Sequence, residues 1–221
     1  MSLPTTDSSP AASARLLQAA DDLLAWQQAT PVASLSRLDH AQLRRDLDAF
    51  TQHYLVPRQA SLAPPMLALL PAALDALLAQ LAGEALAPVH DPADARQPCL
   101  GPVSWAIAAL TRDPSQPWDE ELALDVTVRY WQKARPGGLA LPEDFGEFYK
   151  AVEWAGLQQH LGALGHWAQQ PQAALPQPLL ANLLQSAHTT AGRYRELKAL
   201  SRLIEQAEGV QQATSYAFGR V

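Results

Sequence analysis

The chain has 221 residues, a formal net charge of −6, 48% hydrophobic and 17% charged residues, and 18 prolines against 11 glycines. That length suits one domain or one large lobe with ample apolar material for a core, and the 22 acids against 16 bases argue against a general nucleic-acid binder. The lone Cys99 rules out an intrachain disulfide and a cysteine-built zinc site, and it fits a reducing, cytoplasmic compartment.

Residues 1–14 are rich in Ser, Thr, Pro and Ala and lack the basic end and apolar centre of a signal peptide, so they read as a disordered tail. A single helical domain is expected over 15–208, with a frayed tail at 209–221. No run of 18 apolar residues occurs, so no membrane-spanning helix is expected. Leu16, Leu17, Leu23, Leu24 and Trp26 form the face of a first helix that ends before Pro31. Ser36 followed by Asp39 resembles a capping box opening a second helix. Its face is Leu43, Leu47, Phe50 and Tyr54, and Pro57 is the expected stop. Pro64 and Pro65 suit a first turn, and the Leu-rich stripe from Met66 to Leu81 runs to Gly83. Residues 84–101 hold Pro88, Pro92, Pro98 and Gly101 without periodicity and read as an irregular loop. Helices are expected over 103–111, from Pro117 to about 135, over 142–169, over 177–193 and over 196–208. In the fourth-to-last of these, Asp119, Glu120 and Glu121 suit the first turn, and in the long one Gly156, Gly162 and Gly165 imply close packing. No alternating run supports a strand beyond a bridge near 86–90. The fold class is all-α, with little or no sheet.

Among the six histidines no two are three or four apart, so no helical metal pair exists, and no phosphate-cradling glycine loop or nucleophile elbow is present. Three segments carry candidate chemistry. His90-Asp91-Pro92-Ala93-Asp94-Ala95 puts Asp91 and Asp94 three apart, either a Mg²⁺ pair or a proline turn. Arg112-Asp113 follows a short apolar helix and precedes the acids 119–121, which read as a cap and surface cluster. Glu153, Trp154, Gln158 and His160 place a carboxylate, an indole, an amide and an imidazole within two turns. They line a sugar-sized pocket or form the margin of a core stripe, and spacing leaves both readings open.

Together these segments resemble a known family. Trp118-Asp-Glu-Glu, Val128-Arg-Tyr-Trp-Gln-Lys-Ala-Arg135, Pro142-Glu-Asp-Phe-Gly-Glu-Phe-Tyr149 and Glu153-Trp-Ala-Gly-Leu-Gln-Gln-His-Leu-Gly-Ala-Leu-Gly165 follow Leu43-Arg-Arg-Asp-Leu-Asp-Ala-Phe50 in order. In this order they are similar to the C-terminal lobe of the aminoglycoside phosphotransferase superfamily, of protein-kinase-like fold. The nearest branch is the bacterial kinases of the anomeric position of N-acetylmuramate and N-acetylglucosamine.

The resemblance implies an ATP-covering N-terminal lobe, which is not found ahead of residue 15, and a catalytic His-x-Asp-x-x-x-x-Asn loop after the Leu-rich helix. Only 84–90 stand between that helix and the next motif, so the loop is expected to be deleted. That motif, a metal-binding Asp-Phe-x-Asp-Ala followed by Gly-Pro, matches Asp91 to Ala95 and Gly101-Pro102. Asp91 and Asp94 are thereby vestigial metal ligands, and Ala106, next to Trp105, replaces the Asp that anchors the loop. The expectation is a degenerate, non-catalytic relative of a cell-wall amino-sugar kinase that binds a ligand or a partner. Arg112, Asp113, Glu153, Trp154 and His160 are its ligand-binding candidates. No cofactor is expected, with Mg and ATP only if the family activity survives. The expected partners are an amino sugar, and a protein or a second copy on the surface bared by loss of the N-lobe at Pro98, Trp105 and 86–89, with no nucleic acid and no membrane. Two alternatives are a phosphotransferase completed by a separate N-lobe and a purely structural helical oligomer.

Overall fold

The computed structural model describes residues 10–90, 97–170 and 175–208. Among the described residues eight α-helices run in order: α1 (Pro10–Ala29), α2 (His40–Ala49), α3 (Pro64–Ala82), α4 (Trp105–Thr111), α5 (Glu120–Ala134), α6 (Phe145–Gln169), α7 (Gln177–Arg193) and α8 (Lys198–Glu208). Between α3 and α4 lie two antiparallel strands, β1 (Leu86–His90) and β2 (Pro98–Pro102). The molecule is thus mostly helical. Helix α1 already begins at Pro10, inside the stretch read as a tail. The rest of that tail, Asp91 and Asp94, and the C-terminal tail lie outside the described residues.

The spine is α6. It joins two apolar clusters, giving Trp154, Leu157, Leu161 and Leu164 to one with α3, α7 and α8. It gives Phe148, Val152 and Ala155 to the other, with α1, α4, α5 and the strands. A helix buried on nearly all sides needs small residues where neighbours cross it. A Cβ on Gly165 would strike the Phe50 backbone and come within 2.8 Å of the Ala49 carbonyl carbon. One on Gly156 would meet Arg112 Cγ at 3.0 Å, and one on Gly162 would meet Asp46 Cβ at 3.3 Å. The three glycines therefore do mark close packing.

The second helix departs from expectation at both ends. Its cap is Asp39, whose Oδ1 accepts from Ala41 N at 2.9 Å, because residues 36–38 are drawn off to β2. There Leu100 N donates to Ser36 O at 2.7 Å and Leu38 N to Leu100 O at 2.8 Å. Nor does Pro57 end it. The chain widens into a π turn over Phe50–Leu55 and tightens into a 3₁₀ turn over Val56–Ser61, with Pro57 in the first turn of the latter, where its missing N–H is tolerated. The core face is as expected, with Leu43, Leu47, Phe50 and Tyr54 all fully buried.

The irregular loop is in truth a hairpin, with Val89 opposite Cys99 and Ala87 opposite Gly101. Its prolines misled: Pro98 and Pro102 sit at the ends of β2, and the carbonyl of Pro88 accepts from Gln27 Nε2 at 3.0 Å. Gly101 is needed because a Cβ there would lie 2.6 Å from Val89 Cγ2. Helix α1 closes this region. Trp26 stacks on His90 with ring centroids 4.4 Å apart, and Gln27 also accepts from the Tyr130 hydroxyl at 2.6 Å. The surface expected to be bare is therefore mostly covered: Ala87, Pro88, Val89 and Trp105 are buried and Pro98 is half-buried, while Leu86 is exposed.

One further expectation is corrected by α3. By length and composition alone this helix, 19 residues with a mean hydropathy of 1.6, suffices to cross a membrane. Asp75 and Gln80 hid it from a search for an unbroken apolar run. In this fold its Leu70, Ala73, Leu74, Leu77 and Leu81 pack into the core, and Asp75 on the other face pairs with Arg44 at 2.5 Å.

Candidate functional site

Helix α4 runs out at Thr111, and the chain turns through 112–119 before α5. His160 on α6 fixes that turn: its Nε2–H donates to the Arg112 carbonyl at 2.7 Å. Burial pushes the imidazole pKa down to about 4, so the ring is neutral and keeps Nε2 as the donor. Asn182 of α7 adds a second tie, donating to Pro114 O at 2.9 Å. Asp113 turns away to close the loop, its Oδ1 accepting from Ser115 N at 2.8 Å and Ser115 Oγ at 2.7 Å.

The Arg112 side chain lies over Gly156 and reaches into a charged cluster at the junction of α5, α6 and α7. Its Nη2 donates to the Tyr149 hydroxyl at 2.6 Å, and that hydroxyl donates to Glu120 Oε1 at 2.9 Å. Glu153, 2% exposed, sits beneath, 3.9 Å from Arg112 Nη2, and accepts from Arg193 Nη1 and the Tyr194 hydroxyl. Arg193 also donates to Glu120 Oε1 at 3.0 Å. Burial alone would raise the Glu120 pKa, but Arg112 and Arg193 outweigh it and hold the carboxyl below its ordinary range. Burial drives the Tyr194 hydroxyl upward, reinforced by Glu153, so it stays a proton donor.

Beside this cluster is a cavity of about 190 Å³, walled by Arg112, Glu153, His160, Ser186, Thr190 and Arg193 among others. Two guanidiniums balance two carboxylates, and the α7 hydroxyls add groups that both donate and accept. Such a wall suits a neutral, hydroxyl-rich molecule better than an ion. It does not suit a metal: the carboxylate oxygens are held by arginine and tyrosine, and no group of three metal-ligating side chains occurs among the described residues.

Of the five ligand-binding candidates, the structure brings Arg112, Glu153 and His160 to one cavity. Trp154 is not with them. Its ring is buried in the core, edge-to-face with Tyr194 at 5.5 Å and beneath Lys150 Nζ at 4.4 Å, because residues adjacent on a helix point about 100° apart. Asp113 is the turn residue just described. Arg193, Tyr194 and Tyr149 are not among the sequence candidates, and Glu120 does sit in the first turn of α5 as expected but also reaches the cluster. Their signals were the polar pair Arg193-Tyr194 at the end of an otherwise amphipathic helix and the place of Glu120 and Tyr149 in the segments that carry the family resemblance.

No family model matches the chain. It is similar to the N-acetylmuramate/N-acetylglucosamine kinase of Neisseria meningitidis, 28% identical over 93% of this chain and 67% of the relative. It is also similar to the kinases of that name from Pseudomonas aeruginosa and Pseudomonas putida, at 29% and 26% over 68% of this chain. The chain spans about half the length of both Pseudomonas relatives, 49% in each case. These matches support a relation to amino-sugar kinases.

Proposed function

We propose that this chain, a relative of amino-sugar kinases, binds an amino sugar between α4, α6 and α7 and does not phosphorylate it. One observation carries the reading: the connection from Ala82 to Leu86 consists of residues 83–85 alone. Three residues leave no room for an eight-residue His-x-Asp-x-x-x-x-Asn loop at the point where the resemblance implies one. Phosphoryl transfer is mostly positioning and charge stabilisation, and a base and metal ligand that are missing cannot be made up by neighbours.

A magnesium nucleotide does not fit the described residues of this turn. Its one acid, Glu84, points inward, with Oε2 accepting from Ser104 N at 3.1 Å, and the strand beyond is capped by Trp26 of α1. Ligand binding is supported instead by the balanced, hydroxyl-bearing walls around Arg112, Glu153 and His160. The cytoplasmic setting and the lack of a nucleic-acid or membrane role are part of the same proposal.

Calorimetry with N-acetylglucosamine and N-acetylmuramate tests it. A saturable heat is expected for at least one sugar, weakened at least tenfold by Arg193→Gln and abolished by Ser186→Leu, which fills the cavity. No heat from either sugar, or heats unchanged in both variants, overturns the binding assignment.

A further inference from the structure

The opposite face of α6 carries a second cavity, of about 300 Å³, between α2, α4 and α6. Its walls include Gln42, Asp46, Trp105, Gln158, Gln159 and His166, and none of its lining residues is a lysine or an arginine. The Arg112 cavity is balanced in charge, whereas here Asp46 is the one carboxylate. Its side chain is 12% exposed, resting over Gly162, where a Cβ would come within 3.8 Å of Oδ2.

One N–H of each glutamine amide in this cavity is already in use. Gln42 Nε2 donates to Asp46 Oδ1 at 2.7 Å, Gln158 Nε2 to Leu43 O at 3.5 Å and Gln159 Nε2 to Trp105 O at 3.1 Å. Bonds to backbone carbonyls fix which end of each α6 amide is nitrogen. The amide oxygens of Gln158 and Gln159 then remain as acceptors beside the carboxylate. The cations nearby are occupied or peripheral. Arg45 is held by Asp39 at 3.2 Å and by Gln42 Oε1 at 2.8 Å. The exposed His166 donates from Nδ1 to Gly162 O at 3.1 Å and lies 3.9 Å from Asp46.

From this geometry we infer that the Asp46 cavity is a second binding site, for a small molecule that carries a primary ammonium group. A pocket with one carboxylate and no lysine or arginine in its lining asks for a positive charge, and an ammonium brings that charge with three N–H donors for Asp46 and the amide oxygens beside it. Trp105 gives an aromatic wall to pack against the ligand's carbon skeleton, with a cation–π contribution where the ammonium lies over the ring. A neutral amide in place of the ammonium loses both the charge and two donors, so acetylation of the amine removes recognition here.

The test titrates the whole chain with glucosamine and, separately, with N-acetylglucosamine, followed by amide NMR shifts. Glucosamine is expected to perturb 42–46, 105 and 158–166, with affinity falling at least tenfold in Asp46→Asn. N-acetylglucosamine is expected to leave those residues unmoved. Shifts by both sugars at Asp46, a glucosamine affinity indifferent to Asp46→Asn, or no glucosamine shifts at all would each overturn the assignment. Perturbation confined to 153, 160 and 186–193 also overturns it and leaves the Arg112 site standing. Failure of the Arg112 site alone shows as loss of the N-acetylglucosamine response with the Asp46 response intact.

Discussion

Two carboxylates drawn out of solvent, one partly and one fully, mark the contrast between the two ends of this molecule. Glu84, on the hairpin side, accepts from Ser104 N, and among the described residues no cation pairs with it. Burial pushes its pKa up to about 7. Glu153, on the α6–α7 side, is more deeply set, yet it is flanked by Arg193, Tyr194 and Arg112. The deeper carboxylate is the one with counter-charges, and the half-buried one lacks them. The hairpin side is closed by its own backbone and by α1, while the α6–α7 side keeps a charged, hydrogen-bonded wall around a cavity. Polar chemistry survives in this fold where each buried charge has a counter-charge from another helix.

The contrast breaks most sharply by mutation. Glu153→Gln should destabilise the chain by about 3 kcal/mol, since removing one partner leaves guanidiniums uncompensated at a poorly solvated junction, whereas Glu84→Gln should be neutral or stabilising at pH 8. Urea denaturation of the two variants side by side checks this, and equal losses would erase the distinction. Gly165→Ala should follow at about 2 kcal/mol, because the new Cβ meets helix backbone that cannot turn aside.

Next come two opposing pH slopes. Glu84 binds its proton more tightly in the folded state, so its contribution is present at low pH and is lost as pH rises from about 4.5 to about 7. His160, held neutral with a pKa near 4 against an ordinary 6.5, does the reverse: its contribution is lost as pH falls from about 6.5 to about 4. Between these limits the two terms offset each other. Glu84→Gln should therefore uncover stability that rises with pH, and His160→Asn stability that falls with pH, each by up to about 1.4 kcal/mol per pH unit. Urea midpoints from pH 4.5 to 6.5 read both slopes, and matching profiles in the two variants would contradict the assignment. Smallest is Gly101→Ala, at about 1 kcal/mol, since Val89 Cγ2 is a side-chain atom that can shift where the Phe50 backbone cannot.

The helices were legible in the sequence because their apolar residues recur at helical spacing and their neighbours are other helices. The hairpin was not. Its prolines occupy strand ends and a position whose carbonyl is read by Gln27, 61 residues away, so no local pattern could reveal it. The same holds for the site. Arg112, Glu153 and His160 stood out as polar residues on or beside apolar stripes, and they do meet. Arg193 and Tyr149 come to the cluster from α7 and from the start of α6, and only the helix crossing joins them. Trp154 was drawn in by its neighbour Glu153, yet one step along a helix turned it into the core.

The central proposal is that this relative of amino-sugar kinases binds a sugar without transferring phosphate. Phosphorus NMR of the purified chain with magnesium, ATP and N-acetylglucosamine tests it most directly. The nucleotide resonances should stay unchanged over hours with no sugar-phosphate signal. A growing sugar-phosphate resonance that depends on the protein would contradict the account.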